Sequence, residues 1–206
     1  MARRIPAATE GFEHGAAAYE AARPSYPAEA VAHIVGHGGI GPGRRVLDLA
    51  AGTGKLTRLL VPTGAEVVAV EPVAAMREHL RALPGDVTIL DGTAEAIPLP
   101  DASVDAVVST FVLCSVAHPD RSLEEVHRVL RPGAPFVFLE HVGPPPGTPS
   151  RRLLDGWSRL EIGHCRPNRD TGGTLERAGF AGLEISESVM RPLGLTVPVI
   201  RGRATR

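Results

Sequence analysis

The chain has 206 residues, 43% hydrophobic and 22% charged, with a formal net charge of −1. That length suits one α/β domain with a substantial core. The near-neutral charge gives no basic surface for nucleic acid or for an anionic membrane, so neither is expected as a partner. No stretch approaches the ~20 apolar residues of a membrane helix.

The opening run, MARRIPAATEGFEHG, has two arginines but no apolar core behind them, which does not read as a secretory signal. A cytoplasmic protein is expected. Cys114 and Cys165 form no CxxC pair, so both are expected as free thiols. Helix is expected over 15–22 and over 28–35, and GHGGIGPG reads as the loop that ends the second.

From Arg45 the chain alternates. VLDLA (46–50) reads as a buried strand and LTRLLV (56–61) as a helix. EVVAVE (66–71) is a second strand, followed by a helix over 72–83 with Met76, Leu80 and Leu83 on one face. VTIL (87–90) and VDAVVST (104–110) are the third and fourth strands. A helix over 119–130 carries Leu123, Val126, Val129 and Leu130 on one stripe, and APFVFLEHV (134–142) is the fifth strand. Strands separated by helices predict an α/β fold, a doubly wound and mostly parallel sheet with helices on both faces. After the loop GPPPGTPS, helices are expected over 151–165 and 171–178. LEISESV and LTVPVIRGRA then read as an antiparallel hairpin at the sheet edge.

The chemistry centres on VLDLAAGTG (46–54), a strand running into a glycine turn and a helix. Glycines let the backbone turn tightly and let a ligand come close to it, and such a turn lies at the carboxyl edge of a doubly wound sheet. Glu71, ending the second strand, suits a carboxylate that accepts ribose hydroxyls. A dinucleotide loop wants GxGxxG, and here Thr57 stands at the third glycine. Asp48 beside the turn suits an ammonium better than a pyrophosphate. Together with the lack of a Tyr-x-x-x-Lys pair, this disfavours an NAD-dependent oxidoreductase.

VLDLAAGTG, AVEP, DGTAEAIPLPDASVDAVV and EEVHRVLRPGAPFVFLEHV, in this order and spacing, resemble a class I methyltransferase dependent on S-adenosylmethionine (SAM). The front, with Phe12, Ala16, Tyr19, Arg23, Pro24, Tyr26 and Pro27, is similar to the trans-aconitate type. The back half, from TFVLCSV to IRGRA, resembles the alkyl thiol methyltransferases.

The resemblance implies a Rossmann-like methyltransferase fold, a single domain over 1–206, an N-terminal helical lid over 1–35 and an acceptor-side insert over 143–170. It implies SAM as cofactor, with S-adenosylhomocysteine as product, and a small-molecule acceptor, first a thiol. O-, N- or C-methylation of a specialised metabolite is the alternative within the same chemistry. A SAM-binding protein that does not methylate is a third reading. A macromolecular substrate is disfavoured, since little chain is left to hold one.

By the same resemblance, Asp48 faces the amino or carboxypropyl end of SAM, with Ala50, Gly52 and Gly54 passing beneath the ligand. Ala50 replaces the family's usual first glycine, which its methyl tolerates if φ stays negative. Glu71 holds the ribose, Pro72 and Met76 pack near the adenine, and Gly92, Thr93 and Ala94 flank its edge. Thr110 and Phe111 line the methyl side, and Tyr19 and Arg23 close over SAM. His141 is the candidate that orients or deprotonates the acceptor. Tyr26, Trp157, His164 and Cys165 are expected to line the acceptor pocket.

Each has a plainer reading. Met76, Phe111 and Cys114 suit core positions, and Asp101 and Asp105 suit solvated turns. His141, His164 and Cys165 follow no metal-site spacing, so no metal is expected.

Overall fold

The computed structural model describes residues 15–22, 25–144, 147–149, 151–152, 155, 165–166, 168–190 and 197–206. Two helices lead, α1 (Ala16–Ala22) and α2 (Ala28–Gly38). Then come β1 (Arg45–Leu49), α3 (Thr57–Leu60) continued by one 3₁₀ turn (Val61–Thr63), β2 (Glu66–Val70) and α4 (Ala74–Arg81). β3 (Val87–Leu90), β4 (Ala106–Thr110), α5 (Pro119–Val129) and β5 (Pro135–His141) follow. The chain closes with α6 (Thr171–Arg177), β6 (Ala181–Met190) and β7 (Val197–Thr205).

The strands form one sheet in the order β3-β2-β1-β4-β5-β7-β6. The first five pair in parallel, and β7 enters antiparallel between β5 and β6. The order reverses between β1 and β4, which makes the carboxyl end of these two strands the switch point where such sheets bind ligands. β4 (AVVST) is buried at every position, as a central parallel strand must be when helices cover both faces.

Each face has its own core. On one, Leu123, Val126 and Val129 of α5 and Leu175 of α6 pack against Leu47, Val107 and Phe136. On the other, Ile34 of α2 and Leu56 and Leu60 pack against Val46, Val67 and Val137. Pro119 opens α5, Asp120 sits in its first turn, and His127 and Arg128 sit in its last, each on the favourable end of the helix dipole.

The element order agrees with the sequence reading, with boundaries moved by specific contacts. The helix expected from Pro72 begins only at Ala74, because the Val73 amide donates to the Glu71 carboxylate instead. Val104 makes only an isolated bridge to Leu130, so β4 starts at Ala106. Asp105 is not the solvated turn residue expected. It accepts the Arg45 amide at 2.8 Å and pairs with Arg131, which ties the start of β4 to β1 and to the end of α5. Burial raises the Asp105 carboxyl, but the Arg45 amide and the Arg131 cation outweigh it and hold it below its usual range. The helix expected over 151–165 falls mostly outside the described residues. No helix among the described residues is long and apolar enough to cross a membrane.

Candidate active site

The glycine turn leaves β1 at the switch point. Gly52 and Gly54 take φ of 60° and 86°. A Cβ on Gly54 would come within 2.6 Å of a Leu83 methyl and 2.7 Å of a Leu80 methyl, which would have to shift, while its φ lies in the region that favours glycine. Ala50 also turns left-handed, at φ 51°, contrary to the negative φ expected of a methyl-bearing residue. The cause is the turn itself. The chain must reverse at once for the Ala51 amide to reach the Val70 carbonyl at 3.1 Å and the Gly52 amide to reach Glu71 at 2.8 Å.

Glu71 is only 5% exposed. Its Oε2 accepts from Gly52 and its Oε1 from Val73, which joins the end of β2 to the glycine turn. Burial pushes the carboxyl up to about 7, against the pull of these two amides and the Arg77 cation. Asp48 is 1% exposed beneath the turn, where its Oδ2 accepts the Thr57 hydroxyl at 2.6 Å. Met76 belongs to a small core with Ala16 and Val73, and this core seats α1 on α4. Pro72 is half-buried at the bend between β2 and α4. Gly92 and Ala94 are buried, and Thr93 bridges Ala96 in the loop after β3. Glu95 accepts the Ala117 amide at 2.9 Å, just ahead of α5.

A cavity opens over the turn, lined by Tyr26, Ala50, Ala51, Thr53, Lys55 and Thr110 among others. The N-terminal segment reaches it twice. The Tyr26 and Thr110 hydroxyls are 2.6 Å apart, a bond that links the segment before α2 to the end of β4. Glu20 of α1 accepts the Thr53 hydroxyl and pairs with Lys55 at 3.4 Å and Arg58 at 3.2 Å. Burial raises the Glu20 carboxyl, but Thr53 and the two cations outweigh it and hold it below its usual range. Glu20 and Lys55 had no place in the sequence reading, although Lys55 is the chain's one lysine.

The residues expected on the acceptor side include some at the ends of β4 and β5. Phe111 takes φ 60° and lays its ring 4.3 Å from that of His141 at 32°. Beneath them Glu140 is fully buried and accepts the Ser109 hydroxyl at 2.6 Å and the Val112 and Leu113 amides at 3.1 Å. Burial pushes this carboxyl up to about 7. A charged residue inside the apolar run PFVFLEH was the available signal for it.

Cys114 is buried as expected, but its thiol is not simply core. Its Sγ lies 3.2 Å from Cys165 Sγ and 3.6 Å from His141 Nδ1, and Cys165 Sγ lies 3.5 Å from the same nitrogen. The contact with Cys165, with burial added, raises the Cys114 thiol well above its usual value, while the same contact lowers that of Cys165. Arg23, Trp157 and His164 lie outside the described residues, as does the side chain of Tyr19.

Residues 47–138 match the methyltransferase domain family. Human thiol S-methyltransferase TMT1A is 33% identical over 78% of this chain and 70% of its own length. The chain belongs to the class I SAM-dependent methyltransferases. Another methyltransferase, Rv3342 of Mycobacterium tuberculosis, is 52% identical over 59% of this chain, which spans about half (48%) of that protein's length. A SAM-dependent methyltransferase from Thermotoga maritima shares the fold with a TM-score of 0.70 at 22% identity, over 96% of this chain and 99% of its own. Within this methyltransferase fold the glycine turn, Glu71, Thr110 and Phe111 share the carboxyl edge at the switch point.

Proposed function

We propose that this chain transfers the methyl group of SAM to a small-molecule nucleophile, with a thiol as the acceptor. The observation that carries the reading is the coupled turn and carboxylate. Glu71 holds the Gly52 amide at the one edge of the sheet where β1 and β4 diverge, and the Tyr26–Thr110 bond closes the same cavity. Each carboxylate oxygen of Glu71 uses one lone pair on a backbone amide and keeps another for a ribose hydroxyl. Asp48 acts from below, holding the turn through Thr57 and adding negative charge on the side of the SAM ammonium. Lys55 and Thr53 face the amino-acid end, and the loop of Gly92, Thr93 and Ala94 flanks the adenine.

Bound there, SAM supplies a methyl group already activated by its sulfonium. The protein's share of the work is alignment and exclusion of water. Phe111 walls the methyl side. His141, held against Phe111 at the end of β5, orients the acceptor or takes its proton. A thiol, with a pKa of about 8.5, needs little help to ionise. The kinship with a thiol S-methyltransferase over most of the chain supports sulfur as the acceptor atom.

The test is mass-spectrometric detection of S-adenosylhomocysteine and methylated product from purified protein, SAM and a panel of alkyl thiols, phenols, amines and carboxylates. Turnover confined to thiols is expected. Turnover on phenols, amines or carboxylates alone overturns the thiol assignment, and SAM binding without any turnover overturns the methyltransferase reading.

A further inference from the structure

Three parts of the chain meet behind the acceptor side: the loop after β4 with Cys114, the end of β5 with His141, and Cys165 ahead of α6. Their two sulfurs and one nitrogen all lie within 4.8 Å of one another. The arrangement is anchored. The Arg166 amide donates to the Cys114 carbonyl at 2.8 Å, and the Arg169 guanidinium donates to the carbonyls of Leu113 at 2.8 Å and Val116 at 2.5 Å. The Thr171 hydroxyl donates to the His141 carbonyl at 3.3 Å. The segment carrying Cys165 is therefore fastened to the backbone on both sides of Cys114.

The spacings suit a tetrahedral metal. Zinc holds thiolate sulfur at about 2.3 Å and imidazole nitrogen at about 2.0–2.1 Å, which sets sulfur and nitrogen about 3.5 Å apart and two sulfurs about 3.8 Å apart. The nitrogen–sulfur distances here are 3.5 and 3.6 Å. The sulfurs, at 3.2 Å, need to part by about 0.6 Å to reach the tetrahedral value, a small rotation about χ1. Two thiols and an imidazole are the donor set that selects a soft divalent cation over magnesium or calcium.

We propose that Cys114, His141 and Cys165 form a three-ligand site for one thiophilic divalent cation of the zinc class, with its fourth position open to the methyl acceptor. Among the described residues no fourth Cys, His, Asp or Glu joins the group. Cys114 is buried, whereas His141 and Cys165 are half-buried. Three protein ligands and one exchangeable position is the arrangement of catalytic rather than structural zinc. This deepens the thiol reading and rests on it. An acceptor thiol takes the fourth position as its thiolate, displacing water and passing its proton to solvent, and His141 then orients the acceptor through the cation.

The test needs neither SAM nor turnover, so its failure is separate from failure of the methyltransferase reading. The full chain is reduced, stripped with a chelator and titrated with zinc, then with cobalt. One zinc per chain by elemental mass spectrometry and thiolate-to-cobalt charge-transfer absorption are expected. Cys165→Ser and His141→Gln, at half-buried positions, should stay folded by circular dichroism and bind at least about 10-fold more weakly. Adding an alkyl thiol to the cobalt form should shift the charge-transfer band. The site is overturned by a reduced wild type that takes up no stoichiometric zinc, whether or not its thiols oxidise to a disulfide in air. It is also overturned by equal affinity in both variants. An unchanged band on adding the thiol overturns the open fourth position.

Discussion

The Glu71 carboxylate accepts the Gly52 amide at 2.8 Å, across 19 residues of chain, and so makes the glycine turn and the end of β2 one unit. Glu71→Ala leaves the Gly52 and Val73 amides without this acceptor and removes the proposed ribose contact. Each lost bond to a charged group is worth about 1.5–3 kcal/mol, so SAM affinity should fall about 100-fold. Titration calorimetry on protein shown to be folded measures this, and wild-type affinity would remove Glu71 from the cofactor site.

The same burial gives a pH dependence of stability. Glu71 and Glu140 both rise from 4.5 to about 7 in the folded protein. Between those values the folded state holds protons that the unfolded state has released. Their stabilisation is full below about pH 4.5 and is lost as pH rises through 7, by roughly 3 kcal/mol for each group. His33, lowered by burial, opposes this with a smaller effect. The urea midpoint should be higher at pH 5.5 than at pH 8, and Glu71→Gln or Glu140→Gln should each flatten that slope whatever it does to absolute stability.

Ala50 holds φ 51° with a side chain. The left-handed region costs a non-glycine residue roughly 1–2 kcal/mol, and glycine returns part of that through a more flexible unfolded chain. Ala50→Gly should therefore stabilise by up to about 1 kcal/mol and raise Tm by about 2–4 °C. A lower Tm by calorimetry would show that the methyl group contributes packing that outweighs the strain.

Tyr26 and Thr110 share one hydrogen bond at 2.6 Å. Tyr26→Phe and Thr110→Val should each cost about 1 kcal/mol, and the double variant about as much as either alone. Additive losses in a denaturation cycle would mean that the two hydroxyls act separately.

Gly202 lets β6 cross close over β7. A Cβ there would stand 1.9 Å from the Glu184 carbonyl oxygen and 2.8 Å from the Phe138 ring. Gly202→Ala should destabilise by about 3 kcal/mol or more, because backbone has to move. A thermal melt within 1–2 °C of wild type, roughly the shift of half a kcal/mol, would contradict this close approach.

The element order was legible because strands and helices are written in short-range periodicity. The five strand runs, four of them buried, and the helical stripes between them needed only their neighbours in sequence to be recognised. The boundaries that moved did so through particular contacts, one of them as local as the Val73 amide on the Glu71 carboxylate two residues before it. The glycine turn and Glu71 were legible for a related reason: a tight turn after a buried strand demands particular residue types at fixed offsets.

The sequence by itself determined the alternating architecture, the turn at 50–54 and a carboxylate at the end of the second strand. Only the tertiary structure decided how the sites assemble. The Tyr26–Thr110 bond spans 84 residues and the Cys114–Cys165 contact spans 51, and both exist because the segment before α2 and the segment between β5 and α6 meet the loop end of β4, which the strand order sets beside β5. The left-handed Ala50 belongs here too, since its backbone angle is imposed by two partners, Val70 and Glu71, on the neighbouring strand. A local pattern records what a residue prefers, whereas packing decides which distant side chain it must meet.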